Sequence, residues 1–418
     1  MTTSRIGLLT VVAATLWAGD GETKPASLAD LVQEAMQKNP DIIAALRGWQ
    51  AAAQVPSQVS TLPDPQVTVQ EFSVGSPRPF AGFSNSDFAY IGFGISQDLP
   101  YPGKLKLRGE AAQQDAAVER EKFEAVKRTI VQQVKATYFQ IAYLQETLRV
   151  LERNSGLLEQ IDKIADARYR VGQGTQQDVL KAQLQRTKLL GEIAHHHRLV
   201  ASAQAQMIKL LNRPPDAPAI ATQQLVETSL RYTADELLAR VRNEDPQVRR
   251  RQEMVKRQSL QVELARKDRY PDFNLQYMYE RTGEKFPSYY VLTFNARIPI
   301  HRKRKLDPEL TQATEELNRS RREYESQVQT EYFDVRDQYI AAQTASEILK
   351  IYHDGLIPQA LSTYGAGLAA YQTGKLDFET LLSSLVDVLK FNEEYWRALA
   401  DHETALSRIE QLTGVSFE

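Results

Sequence analysis

The sequence predicts a mainly α-helical chain that carries a small β portion patterned for a membrane barrel and is built from two internal repeats. Three observations predict it. A Tyr-x-x-Gly turn leading into an apolar helical pattern occurs twice, as YRVGQGTQQDVL from Tyr169 and as YQTGKLDFETLL from Tyr371, about half of the 418-residue chain apart. Lys104 to Tyr169 contains no proline, and Phe123, Val126, Ile130, Val134, Tyr138, Ile141, Leu144, Leu148 and Leu151 keep three-to-four spacing along it. Short segments elsewhere alternate apolar and polar residues with the period of two of a strand.

Composition removes several function classes. A quarter of the residues are charged and the formal net charge is −2, so no global field recruits nucleic acid or an anionic surface. The chain has no cysteine, which removes disulfides, thiolate metal sites, Cys nucleophiles and a lipid anchor on an N-terminal Cys. Arg5 followed by the apolar run from Ile6 to Ala18 and then a polar stretch reads as a secretory signal peptide over 1–18, although Leu16 fits the small-x-small cleavage rule poorly. No later stretch is long and apolar enough for a helical span, so any membrane crossing by the mature chain falls to strands.

The elements repeat in order. SLADLVQEAMQKNPDI (27–42) matches TADELLARVRNEDPQV (233–248), each an amphipathic helix ending where the residue before Pro is pushed out of helical geometry. Strands are expected at about 65–74 and 88–98 in a first repeat spanning 27–222, and at about 272–281 and 289–299 in a second spanning 223–418. Long helices are expected at about 104–169 and 175–212, and again at about 304–371 and 376–414. An unbroken helix over the first of these spans would be ~100 Å long, which calls for bundle or coiled-coil support. Gly156 and Pro358 occupy matching places, so a kink or repacked turn is expected at both.

The strand faces carry the most information. Phe273, Leu275, Tyr277 and Tyr279 alternate with Asn274, Gln276, Met278 and Glu280. Tyr290, Leu292, Phe294, Ala296 and Ile298 alternate with Thr293, Asn295 and Arg297, and Ile91, Phe93 and Ile95 stand opposite Gly92 and Gly94. Residues 66–74 slip phase after Val69. One apolar and one polar face suits a strand between lipid and water, although a soluble sheet with one buried face would read alike. Four strands cannot close a membrane barrel, since the smallest use about eight, so a barrel would need several copies of the chain.

Together, the signal peptide, the two repeats, the paired strands flanked by long helices and the Tyr-x-x-Gly turns resemble the TolC family of outer-membrane efflux proteins, from about Ser27 to Gly414. The resemblance implies a homotrimer in which each protomer gives four strands to one twelve-stranded barrel, continued by a helical tunnel across the periplasm. It implies that the two turns are hairpin tips read by a periplasmic adaptor, itself joined to an inner-membrane pump expected to be of the RND type. The tip residues are then Tyr169, Val171, Gly172, Gln173, Gly174 and Thr175, with Tyr371, Thr373, Gly374, Lys375 and Leu376. Family members often place Asp six residues past the Gly, where it helps keep the tunnel shut. Asp178 matches, but the second repeat has Thr380 there, so Asp377 and Glu379 become the candidates for an acidic gate.

The segment SQDLPYPGKLKLRGEAA (96–112) resembles the strand-to-helix step of family members that serve heavy-metal efflux, which implies a metal cargo. Multidrug efflux and type I secretion remain open, as does a periplasmic coiled-coil protein with a soluble sheet. His195, His196 and His197 are consecutive on a helix and point about 100° apart, so they do not converge on one ion. The basic runs 249–251 and 301–305 have no interleaved aromatic platform for nucleic acid, and the second, following a strand end, suits the lipid headgroup boundary. No Walker loop, dinucleotide fingerprint, HExxH or nucleophile elbow occurs. The expectation is a passive channel with no enzyme activity, no bound metal and no cofactor.

Overall fold

The computed structural model describes residues 27–75, 78, 86, 88–283 and 285–417; the predicted signal peptide lies outside the described residues. The first half runs α1 (Leu28–Lys38), α2 (Pro40–Ala52), α3 (Val55–Ser60), β1 (Gln66–Phe72), β2 (Tyr90–Leu99), α4 (Lys104–Arg170) and α5 (Gln176–Leu210). The second runs α6 (Ala234–Glu244), α7 (Pro246–Lys267), β3 (Asp272–Thr282), β4 (Tyr289–Arg297), α8 (Asp307–Ile351), α9 (Ile357–Gln372) and α10 (Phe378–Thr413). The boundaries before Pro40 and Pro246 are made by buried caps. The Asn39 side chain accepts from the Asp41 N–H at 2.9 Å, and Asp245 accepts from the Val248 N–H at 2.8 Å. Pro at the first helical position gives up no hydrogen bond there, which is why both repeats use this step.

The kinks expected at Gly156 and Pro358 are resolved differently in the two halves. Gly156 lies inside a continuous 67-residue helix, so no turn is repacked there. In the second, one π-helical turn, Tyr352–Leu356, separates α8 from α9 just before Pro358, and another, Arg302–Leu306, precedes α8. The single helix expected over 304–371 is therefore two. Proline lacks an N–H and crowds the preceding turn, and the widened turn absorbs both effects, whereas glycine only weakens a helix that its neighbours support.

Three apolar clusters hold the helices. At mid-length, Leu31, Ile42, Ile130, Val134, Ile141 and Met207 join α1, α2, α4 and α5. Leu237, Val241, Val335 and Ile409 join α6, α8 and α10. Toward the hairpin tips, Leu151, Leu158, Ile161, Leu189, Tyr364 and Leu381 join α4, α5, α9 and α10. The extended connection between the repeats is fastened at mid-length. Gln204 brackets Ile220 through both backbone groups, and Thr228 donates to Glu403 while its carbonyl faces His402 Nε2 at 2.8 Å.

The four strands form one antiparallel sheet in the order β1-β2-β3-β4. Its register places Val67 beside Ile95, Val69 beside Phe93, Phe93 beside Tyr279, Tyr277 beside Leu292 and Leu275 beside Phe294. One face is thus a continuous apolar row, and it is uncovered: Val67 is 77% exposed and Leu292 70%. The other face is polar, with Asn274 donating to Asp98 at 2.9 Å and Met278 lying across Gly92 and Gly94, where a Cβ would come within about 3.2 Å of it. The phase slip in β1 persists: Glu71 pairs with Ile91 on the apolar side and Phe72 stacks on Tyr90. β2, β3 and β4 have ten, eleven and nine residues, near the roughly 9–11 a tilted strand needs to cross a bilayer.

Glu331 of α8 is buried with only Oε1 served, by the Gln327 amide at 2.8 Å. Burial, reinforced by Asp245, pushes its carboxyl up to about 7. Between its ordinary value of 4.5 and about 7 the folded chain holds a proton that the unfolded chain has released, so stability falls as pH rises through that window. The full loss above pH 7 is at most about 3 kcal/mol. Glu331→Gln is expected to flatten this dependence and to raise the thermal midpoint above pH 7, measured by denaturation across the window. A midpoint falling as steeply as in the wild type would remove Glu331 as the cause.

Candidate functional site

The far end of the helical body is formed by two hairpin turns with one geometry. The Gly172 N–H donates to the Tyr169 carbonyl at 3.0 Å and the Gln173 N–H to the Arg168 carbonyl at 2.8 Å. The second tip repeats this with Gly374 to Tyr371 at 3.1 Å and Lys375 to Ala370 at 2.9 Å. This pair of bonds closes a helix C-terminus around a left-handed residue, and Gly172 and Gly374 have φ of 71° and 75°. Val171 and Thr373 are the residues just before each glycine, with Val171 exposed and the Thr373 hydroxyl donating to the Ala369 carbonyl. Gly174 serves packing instead, since a Cβ there would meet Arg168 Cβ at 3.1 Å and Tyr169 N at 3.2 Å.

The following helices start from caps of reversed sequence. In the first tip Thr175 accepts from the Asp178 N–H at 3.2 Å, and the Asp178 carboxylate accepts from the Thr175 N–H. In the second, Asp377 accepts from the Thr380 N–H at 2.9 Å and from the Thr380 hydroxyl at 2.8 Å. Thr and Asp have exchanged places, so the missing aspartate at 380 is an inversion of the cap. These bonds hold the exposed Asp377 carboxyl below the ordinary carboxylate range. Glu379 pairs with Lys181 of α5.

The structure brings the two tips together through a residue that the repeat pattern did not single out. Arg168 donates to the Tyr371 carbonyl and, at 2.9 Å, to the Gln173 carbonyl, while its guanidinium lies 4.5 Å from the Tyr371 ring centroid. Tyr371 is only 2% exposed and packs edge-on to Phe378 at 5.8 Å, whereas its repeat counterpart Tyr169 is 46% exposed. Burial pushes the Tyr371 phenol up, and the neighbouring Asp178 carboxylate adds to the shift. Leu376 packs on the apolar cluster behind the tip. The one sequence signal for Arg168 is a difference between repeats: Arg168 aligns with Ala370, and Lys181 aligns with Ser383.

At the opposite end of the helices, the step 96–112 turns on Gly103, with φ of 89°, after Pro100 and Pro102 end the ladder. Lys104 is 2% exposed and pairs with Asp272 at 2.9 Å and Asp268 at 3.2 Å, tying α4 to the start of β3. The basic run 249–251 is an internal joint, with Arg249 paired to Glu121 and Arg251 to Glu323, each at 2.9 Å.

Solved channels share this architecture. The outer-membrane channel OprN superposes with a TM-score of 0.80 at 15% identity, covering 93% of this chain and 90% of that one. CusC, described in terms of transmembrane channel formation, gives 0.79 at 16% identity, with 93% and 92% covered. The outer membrane protein VceC from Vibrio cholerae gives 0.78 at 17% identity, with 94% and 97% covered. At such identities these likenesses show the fold. No curated protein sequence matches the chain. The family model described as outer membrane efflux protein matches residues 31–213 and 237–415, one segment in each repeat. With both repeats matched, the chain belongs to the outer membrane efflux protein family, and its place is the outer membrane, with a long helical portion in the periplasm.

Proposed function

We propose that three copies of the chain close a twelve-stranded barrel, and that the resulting duct passes cargo from an inner-membrane pump of the RND type, through a periplasmic adaptor, to the exterior. The observation that carries this reading is the sheet: one uncovered apolar face, one polar face, and edges at β1 and β4 that no strand among the described residues pairs. Uncovered apolar residues also line the two flanks of the helical body, Leu180 and Leu184 on α5 and Phe333 and Ile340 on α8, as adjoining copies would require. The duct performs no covalent chemistry.

In this reading the adaptor docks on Tyr169, Val171, Gly172, Gln173, Gly174 and Thr175 and on Tyr371, Thr373, Gly374, Lys375 and Leu376. Glycines at both turns let a partner chain approach the backbone closely. Asp178, Asp377 and Glu379 form the acidic ring of the periplasmic gate, and the Arg168 contacts favour its closed state. Adaptor contacts that bind the dilated state better shift that two-state balance.

The cargo we assign is heavy-metal cations, supported by the likeness of residues 96–112 to the corresponding step in metal-exporting members. The test is growth of a deletion strain, with and without the gene restored, across copper, silver, zinc, cobalt and cadmium and across drugs and bile salts. Resistance restored to metals alone is the expected result. Resistance restored to drugs alone would overturn the metal assignment and leave the duct standing. Release of the protein by carbonate extraction would instead overturn the barrel.

A further inference from the structure

We propose that Arg302, Lys303, Arg304 and Lys305 form a binding site for the anionic headgroups of phospholipids in the periplasmic leaflet of the outer membrane. This rests on the membrane-barrel reading and adds a specific ligand to it. The site begins where the apolar face of the sheet ends. Beyond β4 the outward alternation of Leu292 and Phe294 continues through Ile298 and Ile300, the latter 76% exposed, and the four cations follow at once in a single π-helical turn. All four are exposed, while Leu306, which closes the turn, is buried.

Among the described residues none of the four forms an ion pair, although their surroundings are rich in them. Arg269 takes the nearest carboxylate in sequence, Asp307, at 2.7 Å, and Arg266 pairs with Glu263 at 2.7 Å. Like charges held within one turn repel, so the arrangement is unfavourable until an anion approaches.

The fold does not need these charges to turn from strand to helix. The equivalent junction of the first repeat does so with a left-handed glycine, Gly103, and a lysine, Lys104, that is buried between two aspartates. Lys106, the next basic residue of that junction, pairs with Glu110 at 3.7 Å, so what the second repeat adds is a cluster of cations without ion pairs among the described residues.

The position selects lipid over other polyanions. Asp272 pairs in register with Arg297, and Tyr270, two residues before it, is half exposed and stacks on Tyr101 at 4.5 Å. An aromatic pair at this level marks a membrane–water boundary. A basic cluster just past an apolar membrane face meets the lipid phosphates, and each Lys or Arg near an anionic surface is worth about fivefold in binding.

The test uses the full chain, assembled and reconstituted in nanodiscs of phosphatidylcholine or of phosphatidylcholine with phosphatidylglycerol, with co-purifying lipid counted by native mass spectrometry. The wild type is expected to retain phosphatidylglycerol preferentially and to lose that preference as salt rises. The R302Q/K303Q/R304Q/K305Q variant is expected to lose the preference by at least about tenfold, and R302K/R304K to keep it. A preference insensitive to salt, or unchanged in the quadruple variant, would overturn the proposal, as would loss of adaptor binding with lipid selectivity intact. Should the quadruple variant fail to fold, the wild-type salt response and the lysine variant still decide. Failure of the wild type to insert into any bilayer would instead remove the barrel reading beneath it.

Discussion

Replacing Gly172 or Gly374 with valine is expected to abolish export in a resistance assay while leaving the assembled protein intact. Both glycines have φ near 75°, where an L side chain costs about 1–2 kcal/mol. That strain falls on an exposed turn at the end of the tip cluster and leaves the two mid-length clusters untouched, so it is too small and too local to unfold the chain. An added Cβ at Gly172 meets nothing within 4 Å, and at Gly374 it meets only Arg168 Nη2, at 3.4 Å. At Gly172 backbone strain is thus the one internal cost, and a loss of export beyond it reports on what must approach from outside. Gly174→Val is the contrasting case, because its Cβ would strike the tip's own backbone and should damage tip structure as well as export. Resistance and trimer content measured on the same cells separate the two. Full export by both the Gly172 and Gly374 variants would remove the tip assignment.

Arg168→Ala is expected to make the channel leak. The wild-type side chain spans both tips, with charge-assisted hydrogen bonds to the Tyr371 and Gln173 carbonyls and a stacked contact on the Tyr371 ring. Contacts of this kind are together worth about 2 kcal/mol at a partly solvated site, which moves a two-state balance by roughly thirtyfold toward the open form. Recordings from planar bilayers would show this as a raised open-state occupancy with unchanged single-channel conductance. Arg168→Lys should restore only part of the closed state, since one ammonium cannot reach two carbonyls and cover a ring. Closed-state occupancy equal to the wild type in Arg168→Ala would eliminate the lock.

Much of this molecule follows from local patterns. The alternation in β2, β3 and β4, the Asn-Pro and Asp-Pro steps and the glycines of both tips are written in residues adjacent along the chain, because period, cap and left-handed backbone are local properties. Even the phase slip in β1 can be read there, since strict antiparallel pairing transmits it unchanged to Glu71 and Phe72.

Contacts between repeats cannot be read that way. Tyr169 and Tyr371 occupy the same place in the same motif, yet one faces solvent and the other is sealed beneath Arg168 and against Phe378. The pairs Lys181 with Glu379 and Lys104 with Asp272 likewise join partners about 170 to 200 residues apart. Gly156 and Pro358 make the same point within one helix type. A missing side chain is tolerated where α4 is supported by its neighbours, while a missing N–H must be answered by the backbone itself, here by a π-helical turn.

The sequence by itself determined the repeat, the strand faces, the tip turns and the family likeness. Only the tertiary structure decided which tyrosine is buried, which arginine bridges the tips and which cations stay unpaired. The physical reason is that burial and ion pairing depend on what packing brings alongside a residue, and two copies of one local motif meet different neighbours once the chain is folded.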